Sequence, residues 1–250
     1  MITFYPGLHQ PADARHFSRA CISINRLRGR KKRVDCYDLI IDSGAFTELS
    51  THGSYRDTVD VYAAELIRLQ HEGVIRPTVA VAQDYMCEPF ILKKTGLTVR
   101  EHQERTVARF VRLVECRPLV PVMPVLQGFA PLDYVRHLED YGGLLTPGMW
   151  VGVGSVCKRN GSPVDIVNVL SAIRHERPDL KLHGFGLKKT ALMNPSVRAM
   201  LHTADSMAWS FHARINGRSG NDWREAKAFT DQVENVTASA ETEWQATFGF

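Results

Sequence analysis

Ala204-Asp205-Ser206-Met207-Ala208-Trp209-Ser210 sets a carboxylate into a short apolar run with the length and composition of a β-strand. The same arrangement recurs upstream. Asp38 to Ile41 runs into Asp42-Ser43-Gly44-Ala45-Phe46, Thr78 to Ala82 runs into Gln83-Asp84, and Pro124-Val125-Leu126-Gln127-Gly128 ends a run in an amide and a glycine. Strands that end in polar groups able to converge on one point suggest a functional site rather than a packing surface.

Working outward, further short apolar runs lie at Ile2 to Tyr5, Val120 to Leu126, Met149 to Val153 and Leu180 to His183. Helical spacing fills the gaps. Val59, Tyr62, Ala63 and Leu66 recur at i, i+3, i+4, i+7, as do Val107, Phe110, Val111 and Val114, and Ile166, Val169, Leu170 and Ile173. Thr98 with Glu101 fits a capping box, and Ser162-Pro163 and Asn194-Pro195 each fit an N-cap followed by proline at the first helical position. A first helix is expected near Ala12 to Leu27, and a last one, about Asp222 to Val236, covers the outside. Strands alternating with helices imply parallel pairing through right-handed crossovers. Seven or eight such units predict a (β/α)8 TIM-like barrel, with a doubly wound open sheet as the structural alternative. No linker or composition shift divides residues 1–250, so a single domain is expected. In a barrel the C-terminal strand ends share one mouth. Asp42, Asp84, Gln127, Gly152 with Gly154, His183 with Gly184, and Asp205 all fall at that end.

Composition bounds the alternatives. With 44% hydrophobic and 23% charged residues the 250-residue chain reads as globular rather than disordered. No apolar run approaches the roughly 18 residues that span a bilayer. No signal peptide is apparent at the N-terminus, so a cytoplasmic location is expected, the host cytoplasm if the gene is a phage's. The five cysteines, Cys21, Cys36, Cys87, Cys116 and Cys157, are scattered, without a Cys-x-x-Cys pair. They are expected to be reduced and mostly buried, with no metal site among them. The net charge of +4 is mild, but Arg26-Leu27-Arg28-Gly29-Arg30-Lys31-Lys32-Arg33 concentrates six cations. That run is a solvated loop, a transport signal or a phosphate-contacting loop.

Taken in order, these motifs resemble the tRNA-guanine transglycosylase superfamily, and most closely its shorter deazapurine DNA-modification (DpdA-like) branch, found in phages and genomic islands. The resemblance runs from about Asp38 to Arg214. Asp42-Ser-Gly-Ala-Phe46 resembles the family's Asp-Ser-Gly-Gly-aromatic motif, and Ala82-Gln83-Asp84 the strand that delivers a substrate-reading Asp. Val125-Leu126-Gln127-Gly128 is similar to Val-Gln-Gly, Val151-Gly152-Val153-Gly154-Ser155 to the Gly-Gly base-binding turn, and Leu182-His183-Gly184-Phe185-Gly186 to Leu-Met-Gly-Val-Gly. Asp205-Ser206-Met207-Ala208-Trp209, on to Arg214, resembles the nucleophile strand. The tRNA enzymes carry a Cys-x-Cys-x-x-Cys…His zinc subdomain. This chain has none and runs only a short way past the nucleophile strand, so the resemblance implies the DNA-acting branch, without zinc or another cofactor.

The resemblance implies an exchange of guanine in DNA for a 7-deazaguanine such as 7-cyano-7-deazaguanine. Base exchange with retained stereochemistry needs two inversions, hence a covalent carboxylate intermediate at C1′. Asp205 is the implied nucleophile and Asp42 the carboxylate that shuttles a proton at the departing and arriving base. Asp84 suits the N1–H and N2 amine of guanine, and Gln127 its O6 or N7. Ser43, Gly128 and Gly184 belong to the same substrate-binding motifs, while Gly152, Val153 and Gly154 offer backbone groups and Phe46 and His183 a stacking sandwich. Arg28, Arg30, Lys31, Lys32, Arg33, Lys158, Arg159, Lys188, Lys189 and Arg214 are the candidate phosphate contacts. The target nucleotide must be flipped out or already single-stranded. Kept beside this reading are a minimal tRNA-guanine transglycosylase, a barrel that binds nucleic acid without catalysis, and a small-molecule metabolic barrel. The sequence leaves the oligomeric state open.

Overall fold

The structure, a computed structural model, describes residues 2–157 and 162–248, with residues 236–248 as backbone only. Nine strands are present among the described residues: β1 (Thr3–Pro6), β2 (Arg19–Ser23), β3 (Asp38–Asp42), β4 (Val79–Val81), β5 (Val122–Met123), β6 (Val125–Leu126), β7 (Trp150–Val153), β8 (Lys181–Gly184) and β9 (Thr203–Ser206). They form two sheets, β1-β9-β8-β7-β6 and β2-β3-β4-β5, and every pairing is parallel. A parallel bridge from Gly7, just past the end of β1, to Cys21 within β2 links the two strands. The other ends of the two sheets, β5 and β6, are successive pieces of one extended segment interrupted at Pro124. The sequence reads as one strand there. Proline has no N–H to give to the ladder, although its carbonyl still accepts from Gly152 N at 2.8 Å.

Ten helices are described: α1 (Ala45–His52), α2 (Val59–His71), α3 (Pro89–Thr95), α4 (Val99–Glu115), α5 (Pro131–Tyr141), α6 (Pro163–Glu176), α7 (Lys189–Leu192), α8 (Pro195–Met200), α9 (Ala208–Ile215) and α10 (Trp223–Phe248). The helix signals at α2 and α6 hold residue by residue: Val59, Tyr62, Ala63 and Leu66, and Ile166, Val169, Leu170 and Ile173, are buried. The Thr98–Glu101 capping box is formed, and Asn194 caps α8 through Ser196 N and Val197 N. Ser162 precedes Pro163 as expected but makes no side-chain cap bond. α10 packs Ala226, Phe229 and Val233 beside β1, with the Phe229 ring 5.8 Å from that of Phe4.

The helix expected over Ala12 to Leu27 is absent. Pro11–His16 is a 3-10 turn, Arg19–Ser23 is β2, and Ile24–Arg26 is a second 3-10 turn. Here alternation outweighs helical spacing, because Cys21 belongs with one hydrophobic cluster and Ala20 and Ile22 with another. The same split occurs in β3. Leu39 and Ile41 face the large core under the helices, while Ile40 joins a small cluster with Tyr5, Cys21, Val79, Val81, Met123 and Val125 on the opposite face. That small cluster draws strands from both sheets.

α4 also departs from its expected stripe. Val114 is exposed, and the buried face carries His102, Gln103, Thr106, Phe110 and Leu113. The polar members are bonded rather than merely packed. His102 Nδ1 meets Met86 O (2.7 Å), Thr106 Oγ1 accepts from Tyr85 N (2.9 Å), and Gln103 Nε2 donates to Gln127 O and Asp133 O, both at 2.8 Å. Arg109 reaches Gln83 Oε1 at 2.5 Å. The segment from Ala82 to Glu88 is wholly buried without being helix or strand. Its backbone is satisfied in part by this face of α4, at Tyr85 N and Met86 O, and in part by Met123 O, the Tyr55 hydroxyl and Ser155 Oγ. Replacing Gln103 with Leu removes the donor to the buried Gln127 carbonyl. Urea titration is expected to show a loss of about 1–3 kcal/mol, and an unchanged midpoint would show that the carbonyl is satisfied another way.

Candidate active site

Because all strands run the same way, their C-terminal ends lie on one side. A cavity of about 720 Å³ opens there, within the size range of ligand sites. Its lining takes residues at or just past the ends of β1, β2, β3, β6, β7, β8 and β9: Gly7, Ser23, Asp42, Gln127, Gly154, Phe185 with Gly186, and Asp205 with Met207. Asp84 enters from the segment after β4.

Three carboxylates therefore share one space, each with its own donors. Asp205 Oδ1 accepts from Gly186 N at 3.0 Å and faces His183 Nε2 at 3.3 Å. Asp42 Oδ2 accepts from Gly44 N at 3.0 Å, with the Ser23 hydroxyl also donating. Gly44 has φ +79°, and a Cβ there would press on Asn25, so only glycine presents this N–H comfortably. Asp84 accepts from the Gln127 side-chain amide and, at 3.4 Å, from Ser43 Oγ. Gln127 is oriented in turn by Ser155 Oγ, 2.7 Å from its Oε1. Ser155 also accepts from Cys87 N (2.8 Å), and it holds φ +54°, which a non-glycine residue adopts only when its surroundings impose it.

Enclosure and mutual repulsion show in the acidities. Burial, then the Asp205 charge, pushes the Asp42 carboxyl up to about 6. Burial, then the Asp42 charge, pushes Asp84 up to about 7. Cys21 lies in the cavity wall, and burial, then the charges of Asp205 and Asp42, keeps it a neutral thiol. At the rim, burial and the charges of Arg26 and Arg214 hold His9 below the usual imidazole range, with its Nε2 2.8 Å from Ser210 Oγ.

Of the residues singled out from the sequence, Asp42, Phe46, Asp84, Gln127, Gly154 and Asp205 line the cavity. Ser43 is buried behind Asp84. Gly128, Gly152, Val153, His183 and Gly184 are not in the lining. The glycines make room for side chains. A Cβ at Gly152 would overlap the Phe185 ring, one at Gly154 the Gln127 amide, one at Gly128 Asp133 and Tyr134, and one at Gly184 Leu187. The N–H groups of Gly152 and Gly154 already bond Pro124 O and Leu126 O, and Gly154 O accepts from Tyr134. His183 is fully buried, which removes it from a stacking sandwich. The aromatic face toward the cavity is Phe185, two residues on along the same strand side, with ring centroids 4.6 Å from His183. Phe46 is half exposed at the rim, 6.3 Å from Phe90.

Sequence reasoning passed over Phe185, Ser155, Asn25, Arg26 and His9. Alternation along β8 pointed to Phe185, and Arg26 was the first cation of the basic run. The rest of that run is largely occupied: Arg28 pairs with Asp57 (2.5 Å), Lys31 with Glu72 (3.1 Å) and Arg33 with Asp35 (2.9 Å). The Arg30 Nε is buried, Lys32 is exposed, and Lys189 meets Gln232 at 2.9 Å. Lys188 occupies the N-cap position of α7 without a side-chain cap bond. Lys158 and Arg159 lie outside the described residues. The cysteines are free, but only Cys21 and Cys87 are buried; Cys36, Cys116 and Cys157 are partly exposed, against the expectation of mostly buried thiols. Among the described residues no group of three or more His, Cys, Asp or Glu is placed to hold a metal ion, and no helix is long and apolar enough to cross a membrane.

A sequence model of the family described as DeoxyPurine in DNA protein A (DpdA) matches residues 2–226, and the chain belongs to that family. Membership associates it with deazapurine modification of DNA, as a transglycosylase-like enzyme whose substrate is DNA. A search of curated proteins finds no match.

Two outcomes follow from the geometry. The Asp84 carboxyl, ordinarily near 3.8, is at about 7 in the folded chain. The native state thus holds a proton that the unfolded chain has lost, and stability contributed by that proton disappears as pH rises from about 4 through 7. Asp84→Asn should be no more stable than the parent near pH 4 and increasingly the more stable of the two toward pH 8, by urea unfolding at both ends. A constant difference would mean that Asp84 titrates as an ordinary carboxyl. In DNA binding, Arg26→Ala and Arg214→Ala should each reduce the salt slope by roughly one, because Arg26 lines the cavity and the Arg214 charge bears on His9 in the cavity lining. Lys31→Ala and Arg33→Ala, already paired, should change it little. Equal slopes for all four variants would exclude a rim contact.

Proposed function

We propose that this chain exchanges guanine in DNA for a 7-deazaguanine base such as 7-cyano-7-deazaguanine, through a covalent Asp205–C1′ intermediate. The observation that carries this reading is the meeting of Asp205 and Asp42 in one cavity whose wall also holds the Asp84–Gln127 pair. The scaffold proposed for it is a single (β/α)8 barrel. The Gly7–Cys21 bridge at one pair of sheet edges, the continuity of β5 and β6 at the other, and the small apolar cluster shared by both sheets support closure.

An Asp205 oxygen attacks C1′ of a flipped or single-stranded deoxyguanosine, and the C1′–N9 bond breaks as the ester forms. Asp42, pushed up to about 6, gives its proton to the departing guanine. As a carboxylate it then takes the N9 proton of the incoming deazaguanine, whose nitrogen attacks C1′ and frees Asp205. Retained stereochemistry follows from the two inversions. Asp84 and Gln127 read the base edge, Ser43 and Ser155 fix that pair, and Phe185 and Phe46 offer aromatic surface. No metal or cofactor enters these steps. Arg26 and Arg214 hold flanking phosphates.

The test has two readouts. Nucleoside mass spectrometry of DNA and tRNA, from cells that express the chain and make deazaguanine precursors, should find the modified nucleoside in DNA. Denaturing the protein during turnover with labelled DNA should trap an adduct that Asp205→Asn does not form. Modification confined to tRNA, or an adduct that persists in Asp205→Asn, overturns the reading.

A further inference from the structure

Behind Asp205 stands a chain of side chains that the reaction as written above does not use. Trp150 Nε1 donates to Thr203 Oγ1 at 2.8 Å; Thr203 Oγ1 lies 2.8 Å from His183 Nδ1; and His183 Nε2 lies 3.3 Å from Asp205 Oδ1. His183 and Thr203 are buried. An indole N–H can only donate, so Thr203 Oγ1 is its acceptor. The Thr203 hydroxyl proton has one acceptor in reach among the described residues, His183 Nδ1. That nitrogen therefore carries the lone pair and Nε2 carries the proton, directed at Asp205. Oδ1 thus meets two donors, the Gly186 amide and His183 Nε2–H, while among the described residues none reaches Oδ2.

We propose that Trp150, Thr203 and His183 form a positioning relay that fixes the His183 tautomer, clamps Oδ1 of Asp205 and thereby assigns Oδ2 as the attacking oxygen. The inference rests on the reading of Asp205 as nucleophile. None of the three residues touches substrate. They act through the carboxylate by holding its plane and leaving one oxygen exposed, so that the attack needs no rotation or shedding of a hydrogen bond. A His183 with its proton on Nδ1 would instead aim a lone pair at Oδ1 and push the carboxylate out of line.

Two measurements test it. Long-range nitrogen–proton NMR on the full chain with ring-labelled histidine should show His183 as the Nε2–H tautomer, and Thr203→Val should abolish that preference. An Nδ1–H tautomer in the parent overturns the relay, whatever the activity. In single-turnover adduct formation, Thr203→Val should lower the rate on the order of 10- to 100-fold while KM for DNA stays put, since the loss is of orientation rather than binding. Thr203→Ser keeps the hydroxyl and should stay within about threefold. His183→Gln, with an amide able to donate near the Nε2 position, should exceed His183→Leu. Thr203→Val as fast as the parent, or Thr203→Ser as slow as Thr203→Val, overturns the proposal. Should the parent form no adduct at all, the nucleophile reading fails, and the tautomer measurement alone decides the relay.

Discussion

Three carboxylates enclosed in one cavity repel each other, and most of the local structure serves to make that arrangement tolerable. Like charges out of water resolve their conflict by binding protons or by acquiring donors. Both occur here. Asp42 and Asp84 are pushed to about 6 and about 7, so near neutrality the cavity holds protons as well as charge. Asp205 instead has a backbone amide and an imidazole N–H. Neighbouring carboxyl groups in unequal surroundings are the general physical route to distinct acid, base and nucleophile roles on one fold.

Holding those donors in place demands unusual backbone and buried polarity. Gly44 turns with positive φ to aim its N–H at Asp42, and Ser155 accepts a left-handed conformation to reach Gln127. The Ala82–Glu88 segment that carries Asp84 forms no regular element, and α4 gives up part of an apolar face to bond it through His102, Thr106 and Arg109. Buried polar networks of this kind specify one arrangement, because any shift strands a buried donor or acceptor.

The strand–helix alternation and the polar strand ends were legible because they rest on periodicity and on residue type at run ends. Asp42, Asp84, Gln127 and Asp205 reach one cavity for that reason. What the sequence hid is equally physical. β2 was obscured because Ala12 to Leu27 contains helix formers, and only pairing with β3 selects the extended form. The stripe of α4 was misread because its buried side is bonded through Gln103 and Thr106, which a count of apolar residues passes over. His183 was assigned to the cavity surface, but a strand-end histidine looks the same in sequence whether it faces a ligand or stands behind the residue that does. The basic run looked available because Asp57 and Glu72, which pair with Arg28 and Lys31, approach it only in the tertiary structure, whereas Asp35, two residues from Arg33, was already within view.

Placement of the protons has a consequence for how a base enters. On the proposed reading Asp84 accepts hydrogens from the N1–H and N2 amine, which only the ionised carboxylate can do. At about 7 its proton must leave as the base arrives. Those new donors add to the Gln127 amide already on Asp84 and favour the charged form. Arrival of the base therefore draws Asp84 toward ionisation, and the added charge near Asp42 makes the Asp42 proton harder to lose. The acid needed at the departing guanine is strengthened in its hold on a proton by the same event that seats the base. When the site empties, Asp84 can recover its proton and the repulsion on Asp42 relaxes, so the repulsion that makes the empty cavity costly couples base recognition to the protonation state of the catalytic acid.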